Sequence, residues 1–173
     1  MRRVPNQEVL WRQKPTKTLI ICISIHQGNT EKIARAMAEI LNAKLLKPSE
    51  VEIDELSQYD LIGFGSGIYY SKPHRGLLDL VDKLPSLEGK KVFIFFTSGT
   101  RKLPFINECD KQLKEKLLEK DSDIIGVFSC RGFDTYGPFK YIGGISKGRP
   151  DEKDLEQAKS FAKHLQEATG KGE

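Results

Sequence analysis

The apolar residues of this chain follow two alternating patterns. Four continuous apolar runs, rich in β-branched and aromatic residues, are typical of strands buried on both faces; they are Thr18–Ser24, Asp60–Ser66, Lys91–Thr97 and Asp123–Ser129. A shorter run, Ala43–Lys47, predicts a fifth strand. Apolar residues at helical spacing predict helices over Glu31–Asn42, Pro73–Leu84 and Phe105–Glu119, and a last one that Pro150 opens. Asn29 and Thr30 are suited to cap the first predicted helix, and Pro73 is suited to the first turn of the second predicted helix.

This alternation predicts the architecture. Strands that alternate with helices form a parallel sheet covered on both faces. Five such units predict an α/β fold with a doubly wound five-stranded parallel sheet, strand order 2-1-3-4-5, and helices on both faces. Ligands of such sheets bind beyond the carboxyl ends of the strands, at the switch between strands one and three. The loops that meet there are Ser24–Thr30, Ser66–Lys72, Thr97–Leu103 and Cys130–Gly144.

Charge divides the chain into two parts. The 173 residues suffice for one domain. The first 17 residues carry five basic side chains against Glu8, which accounts for the whole formal charge of +4. We therefore predict a basic N-terminal extension over residues 1–17 and a neutral domain over residues 18–173. A neutral domain does not predict a nucleic-acid-binding surface.

Cysteine usage and the apolar runs bear on the compartment. No apolar run is long enough to span a bilayer, and the basic start is not followed by the apolar region of a secretory signal. Cys22, Cys109 and Cys130 are odd in number and widely spaced, and they form neither a CxxC pair nor a zinc pattern. We expect a cytoplasmic protein with no membrane span and no metal site.

The first loop has the composition of an anion site. Ser24–Thr30 contains no Lys or Arg. Main-chain N–H groups at the helix start, the hydroxyls of Ser24 and Thr30 and the amide of Asn29 can surround a phosphate. Gly28 lets the backbone approach closely. A plain strand-to-helix turn is the alternative interpretation.

Two segments resemble a known family. Gly28–Ala34, GNTEKIA, resembles the phosphate-binding loop of flavodoxins and flavodoxin-like proteins. Asp60–Tyr69, DLIGFGSGIY, is similar to their third strand and to the loop beside the flavin ring. The resemblance extends over about Thr18 to Leu165 and implies a flavodoxin-like fold with FMN as cofactor.

The resemblance also implies how the residues divide among the parts of FMN. It assigns the phosphate to Gly28, Asn29 and Thr30, with Ser24, His26 and Gln27 supplying amides or side chains. It places the isoalloxazine ring beside Ser66, Gly67, Ile68, Tyr69 and Tyr70, with Thr97, Ser98 and Gly99 at the pyrimidine edge. Tyr69 or Tyr70 would offer the flat aromatic partner that a flavin needs.

Some features depart from the family pattern. Ile25, His26 and Gln27 stand where classical members carry Ser or Thr, the third loop is basic, and the domain lacks a strongly acidic surface. An acidic surface disfavours an anionic reduced flavin, so its absence argues against a low-potential carrier. The long fourth loop carries Phe133, Tyr136, Phe139 and Tyr141, which could fold over the ring.

These observations predict an FMN-binding flavoprotein in electron transfer or redox chemistry, with a reductase-like role favoured. An FMN-dependent oxidoreductase linked to NAD(P)H or a quinone is the enzymatic hypothesis. A flavodoxin-type electron carrier between protein partners is the alternative, and the sequence leaves the choice open. Its partner would be a redox protein or a small-molecule electron donor or acceptor.

Overall fold

The computed structural model describes residues 15–25, 27–69, 72–99, 110–133 and 141–170. Its strands are β1 (Thr18–Ile23), β2 (Lys44–Leu46), β3 (Leu61–Tyr69), β4 (Lys72–Pro73), β5 (Lys91–Ser98) and β6 (Asp123–Arg131). Its helices are α1 (Asn29–Leu41), α2 (Arg75–Lys83), α3 (Lys111–Leu118) and α4 (Glu152–Gly170). Two 3-10 turns, Pro48–Glu50 and Ile53–Gln58, connect β2 to β3.

The sheet has the predicted order. β2, β1, β3, β5 and β6 are neighbours in that sequence and all run parallel. The two-residue β4 pairs antiparallel with the end of β3. Counted over the parallel strands, the order is 2-1-3-4-5, so the fold prediction is confirmed. The strand order reverses at β1 and β3, whose carboxyl ends therefore define the switch point.

Helices cover both faces, which explains the continuous apolar runs. In β1, Leu19 and Ile21 belong to one buried cluster, which α2 and α3 cover. Ile20 and Cys22 belong to the other, which α1 and α4 cover. Successive side chains of a strand point to opposite faces, so a strand with two covered faces is apolar throughout.

Two glycines of β3 make room for aromatic rings of β5. Gly63 pairs with Phe93 and Gly65 with Phe95 in the parallel register. A Cβ on Gly63 would lie 2.3 Å from the Phe93 ring, and a Cβ on Gly65 would lie 2.0 Å from the Phe95 ring. The repeated glycines of β3 therefore serve packing within the sheet.

Three helix starts differ from the sequence prediction. Gly28, not Asn29 or Thr30, precedes α1 as its N-cap residue, with φ of +66° that suits glycine. Pro73 lies in β4, and His74 caps α2 by accepting a hydrogen bond on Nδ1 from the N–H of Gly76 at 3.0 Å. The last helix starts at Glu152 instead of Pro150. In the first turn of α1, the side chains of Asn29 and Thr30 form contacts distant in sequence, which local propensity does not reveal.

Parts of the prediction fall outside the described residues. These are residues 1–14, which form most of the predicted N-terminal extension, and residues 105–109 of the predicted third helix. The division between residues 17 and 18 stays a prediction. Among the described helices, none combines the length and apolar character that crossing a membrane requires.

Candidate functional site

A cleft of about 420 Å³, here called the switch-point cleft, lies where the first turn of α1 meets the carboxyl ends of β3, β5 and β6. Its described lining consists of Asn29, Thr30, Gly67, Ile68, Tyr69, Thr97, Ser98, Gly99, Gly132 and Phe133. None of these lining residues carries an ionisable acidic or basic group other than the Tyr69 phenol. The cleft therefore offers hydroxyls, amides, backbone dipoles and aromatic surface instead of formal charge.

Most of the predicted site residues meet in this cleft. Eight line it, namely Asn29, Thr30, Gly67, Ile68, Tyr69, Thr97, Ser98 and Gly99. Gln27 and Gly28 form the turn just before α1, Ser66 lies buried in β3, and Ser24 lines a different cavity. His26 and Tyr70 lie outside the described residues.

The turn before α1 leads into a helix start whose first N–H groups lack an acceptor inside the helix. Gln27 and Gly28 both adopt left-handed backbone conformations, with φ of 58° and 66°. The N–H of Lys32 donates to the carbonyl of Gly28 at 3.0 Å and begins the helical ladder. The preceding N–H groups of the first turn have no acceptor within the helix. Gln27 holds a conformation that is unfavourable for a residue with a Cβ, as strained residues at ligand sites often do.

Two side chains of α1 are fixed by residues far away in sequence. The hydroxyls of Thr30 and Thr97 lie 2.7 Å apart, and both residues are buried. Asn29 Nδ2 donates to the carbonyl of Phe133 at 2.7 Å. Asn29 Oδ1 is buried and has no hydrogen-bond partner among the described residues. The first turn of α1 is thus fixed to the third and fourth loops, and one acceptor is left over.

A buried side chain, that of Ser66, holds the second loop in place by hydrogen bonds. Ser66 is fully buried; its hydroxyl donates to the carbonyl of Gly67 at 2.7 Å and accepts from the N–H of His74 at 2.9 Å. The Ser66 side chain therefore braces the loop and does not face the cleft.

The Tyr69 side chain lies against Gly67 in the second loop, beside the cleft. A Cβ on Gly67 would lie 2.7 Å from the Tyr69 hydroxyl oxygen, so the phenol ring packs directly over that glycine. The Tyr69 hydroxyl accepts from the N–H of Ile25 at 3.4 Å, and the Tyr69 ring meets His74 edge-on at 5.8 Å. Tyr69 thereby joins the first and second loops beside the cleft.

Sequence reasoning did not assign a binding role to Gly132, and it named Phe133 only as one of the fourth-loop aromatic residues that could fold over the ring. The N–H of Gly132 donates to the carbonyl of Ser98 at 2.9 Å, and a Cβ on Gly132 would lie 2.7 Å from Asn29 Nδ2. Their position in the sequence could have indicated such a role, because both residues follow β6, which ends at the same edge of the sheet as β3 and β5. Tyr136 and Phe139 fall outside the described residues, and Tyr141 is 81% exposed.

A second cavity lies on the other side of β1, and we call it the β2-side cavity. It has a volume of about 880 Å³ and is lined by Cys22, Ile23, Ser24, Glu31, Arg35, Leu45, Leu46, Lys47 and Glu50. The Ser24 hydroxyl is buried there without a partner among the described residues. Burial, with a smaller contribution from the charge of Glu31, raises the pKa of the Cys22 thiol to about 12, so the thiol stays protonated at neutral pH.

Comparison of the sequence with known proteins gives three results. Residues 20–132 match the model of a family described as the flavodoxin domain. An uncharacterized protein of Methanocaldococcus jannaschii is 46% identical over 150 residues, which are 86% of this chain and 97% of that protein. The flavodoxin-like domain-containing protein BilS of Clostridioides difficile is 26% identical and is covered over 96% of its length, with 86% of this chain.

Solved structures show the same architecture. Oxidised flavodoxin 2 from Bacillus cereus superposes with a TM-score of 0.69 at 23% identity, over 88% of this chain and 99% of that one. Rubredoxin oxygen:oxidoreductase from Desulfovibrio gigas gives 0.65 at 22% identity, over 91% of this chain but only 37% of that one. The fold thus matches both a free-standing protein and part of a longer chain.

Proposed function

Because the chain belongs to the flavodoxin domain family, we propose that it binds FMN in the switch-point cleft and transfers electrons through it. The observation that carries the proposal is that N–H groups without an acceptor inside α1 lie beside a cleft at the strand-order switch, whose described lining is uncharged and includes Tyr69 and Phe133. FMN would supply the redox chemistry, since a flavin takes up and passes on one or two electrons.

The phosphate of FMN would be held mainly by the main chain. The hydroxyl of Thr30 is paired with Thr97, and the amide nitrogen of Asn29 is used by Phe133. The free N–H groups of the first turn of α1 remain, and they lie at the positive end of the helix dipole. The side chains of Asn29 and Thr30 would therefore contribute less to phosphate binding than the sequence predicted.

The ring of FMN would lie between the second and third loops. Gly67 and Tyr69 both line the cleft, and Tyr69 offers an aromatic face there. Ser98 and Gly99 line the opposite wall. The Thr97 hydroxyl is buried against Thr30, so Thr97 would contribute through its main chain.

A reductase is the second candidate, because the domain after residue 17 is electrically neutral. A neutral surface destabilises an anionic reduced flavin less than an acidic one, which suits two-electron chemistry with a soluble donor. The proposed partner is a cytoplasmic redox protein for a carrier, or NAD(P)H or a quinone for a reductase.

The cofactor is tested by titrating the purified full-length protein with FMN and with riboflavin. We expect a visible flavin spectrum and tighter binding of FMN, because riboflavin lacks the phosphate. Failure to bind FMN would refute the proposal.

The two roles are tested by adding NADPH or NADH to the FMN-loaded protein without oxygen. Rapid bleaching of the flavin indicates a reductase. Bleaching by dithionite but not by either nucleotide favours a carrier.

A further inference from the structure

Charge is divided unequally along the domain. The four segments at the carboxyl ends of the parallel strands contain seven basic residues and one acidic residue. They are Ser24–Thr30, Ser66–Lys72, Thr97–Leu103 and Cys130–Arg149. Because the domain after residue 17 holds equal numbers of acids and bases, its other segments hold six more acids than bases. The neutrality of the whole domain therefore does not extend to these four segments.

Two cations stand beside residues that line the cleft. Lys72 of β4 is paired with Tyr69 of β3. Arg131, the last residue of β6, is paired with Ser98 of β5. Since Tyr69 and Ser98 both line the cleft, Lys72 and Arg131 lie at its rim.

A third cation lies in the segment before α4. The hydroxyl of Ser146 donates to the carbonyl of Gly99 at 2.7 Å, and the N–H of Phe133 donates to the carbonyl of Arg149 at 2.9 Å. Gly99 and Phe133 line the cleft, so these two hydrogen bonds hold the segment against its rim. Lys147 follows Ser146 directly and is exposed.

Acidic side chains at the helix starts do not neutralise these three cations. Several described acids are already paired with other bases, in the ion pairs Glu31–Arg35, Asp79–Arg75, Asp110–Lys114, Asp151–Arg149 and Asp154–Arg149. Glu152 at the start of α4 is exposed, and the exposed Lys153 follows it. Among the residues that the structure describes, Lys72, Arg131 and Lys147 have no ion-pair partner. They leave positive charge uncompensated at the rim of the cleft.

Exposed apolar side chains gather at the same edge. Five large apolar side chains are exposed among the described residues, namely Ile25, Leu118, Val127, Tyr141 and Ile142. Ile25 lies in the first loop, and its N–H donates to the hydroxyl of Tyr69 at 3.4 Å. Tyr141 and Ile142, which are 81% and 69% exposed, belong to the segment that Ser146 holds against the rim. Three of the five therefore lie beside the cleft, and such a cluster marks an interaction site more than single exposed residues do.

We propose that the basic rim, defined as Lys72, Arg131, Lys147, Tyr141 and Ile142, is a docking surface for an acidic redox protein. The inference rests on the proposed function, because a partner seated there would bring its redox centre towards FMN in the cleft. Each electron that one centre loses, the other gains. An acidic partner matches the uncompensated cations, and such complementarity speeds encounter. A protein fits better than a nucleic acid, because tyrosine and aliphatic side chains amid cations are typical of protein interfaces, whereas nucleic acids are bound mainly through many phosphate contacts.

The test measures by surface plasmon resonance how fast an acidic ferredoxin associates with the FMN-loaded full-length protein. We expect association to be about tenfold faster at about 0.02 M salt than at about 0.5 M salt, because salt screens the attraction. A basic cytochrome c is the opposite probe, and its association should not be faster at low salt. An association rate of ferredoxin that does not depend on salt, or no binding of ferredoxin at low salt, would overturn the inference.

The rim variant removes the three cations together, by the substitutions Lys72→Gln, Arg131→Gln and Lys147→Gln. We expect ferredoxin to associate with it about tenfold more slowly at low salt, and within about twofold of the unmodified rate at about 0.5 M salt. A control variant carries the same change at three exposed lysines outside the four segments, namely Lys44, Lys83 and Lys163. The control should slow association by at most about twofold. Equal slowing in both variants would mean that net charge and not the rim attracts ferredoxin, and the inference would fail.

The apolar part of the rim is tested by the dissociation rate, which rim charges affect less than the association rate. Ile142→Ala is expected to speed dissociation of ferredoxin about threefold, because it removes a contact from the docking surface. Leu118→Ala is the matched control, since Leu118 is 57% exposed and lies at the end of α3. Equal dissociation rates in the two variants would refute the place of Ile142 in the basic rim.

Two further results separate this inference from its rivals. A short DNA duplex that displaces ferredoxin at about 0.15 M salt, and that binds the rim variant more weakly, would assign the rim to nucleic acid and overturn the inference. Failure of the protein to bind FMN would refute the proposed function. Binding of FMN together with ferredoxin association that the rim variant does not change would refute the inference alone.

Discussion

The switch-point cleft and the β2-side cavity flank the carboxyl end of β1, and the larger of the two is the poorer candidate site. The β2-side cavity has about twice the volume, about 880 against about 420 Å³. Its charged groups are largely satisfied within the protein: Arg35 pairs with Glu31, and Glu50 accepts from the N–H of Lys47 at 2.8 Å. The cleft instead combines N–H groups of the first turn of α1, which have no acceptor within the helix, with Asn29 Oδ1, which is buried without a partner among the described residues.

We infer from this comparison that buried polar atoms without partners, and position at the strand-order switch, indicate a ligand site better than cavity volume does. Exposed ion pairs such as Glu31–Arg35 contribute little energy and form wherever charges are spaced four residues apart on a helix. Buried polar atoms without partners are uncommon in folded proteins, and one that lines a cleft at the strand-order switch is informative. The β2-side cavity also holds a buried polar atom without a partner among the described residues, the Ser24 hydroxyl. The charged groups around it, however, are largely paired with one another.

We expect the largest loss of stability from a substitution inside the sheet that supports the cleft. Gly65→Ala should lower the free energy of unfolding by about 2–3 kcal/mol, because a methyl group 2.0 Å from the Phe95 ring overpacks the core. Leu46→Ala, on the side of the β2-side cavity, should cost only about 1 kcal/mol, because Leu46 is partly exposed. Urea unfolding of both variants measures the difference. Equal losses would mean that the two sides of β1 are equally tightly packed.

A smaller effect is expected from Cys22 at the floor of the β2-side cavity. Its pKa in the folded protein is about 12 against an ordinary value of 9.0. Between these values the unfolded chain releases a proton that the folded chain retains, so the free energy of unfolding falls as pH rises, by about 1.4 kcal/mol per pH unit. Below about pH 8 the thiol contributes almost no pH dependence, because it is protonated in both the folded and the unfolded chain. The slope between pH 9 and pH 10 should be shallower in Cys22→Ala than in the unmodified protein.

Accessibility of the same thiol sharpens the comparison. Cys22 is 6% exposed although it lines the larger cavity. We therefore expect iodoacetamide to leave Cys22 unmodified in the native protein at pH 8, as peptide mass analysis would show. An identical pH slope with and without Cys22, or rapid alkylation, would mean that the cavity is more open to water than its walls indicate.

The turn before α1 allows a matched pair of substitutions. Gly28→Ala places a side chain at φ of +66° where a Cβ meets nothing within 4 Å, so its effect is on the backbone alone. The strain costs about 1 kcal/mol, and relaxation of the turn would displace the N–H donors and weaken FMN about fivefold. Gly89→Ala has the same kind of strain, φ of +73° and no close neighbour, at a turn before β5. It should cost similar stability without changing FMN affinity, and equal affinities in the two variants would contradict the assigned role of Gly28.

Sequence periodicity could predict the sheet because both faces are covered. Every parallel strand was found from its apolar run, and strand order followed from the number of units. Periodicity could not show why β3 carries Gly65, because the reason is a phenylalanine thirty residues later. Periodicity also could not show that Asp154, an acid in the first turn of the last helix, is the buried partner of Arg149.

The site was predictable in place and not in detail. Composition and resemblance identified the loops that meet at the cleft. They could not divide the polar atoms of Asn29 and Thr30 between protein and ligand, because the partners lie 104 and 67 residues away. Gly132 was missed for the same reason, since only the fold brings it next to the Asn29 side chain.

The smallest effect is expected from the charges of the β2-side cavity, and it decides whether the comparison holds. Arg35→Ala and Lys47→Ala each remove a cation near the phosphate loop but outside the cleft. If main-chain dipoles hold the phosphate, both variants should bind FMN within about twofold of the unmodified protein, because the contribution of an exposed charge is small and screened by salt. Calorimetric titration at low and at 0.5 M salt measures this. A tenfold loss at both salt concentrations would show that a cavity cation contacts the phosphate, and the larger cavity would then be part of the binding site.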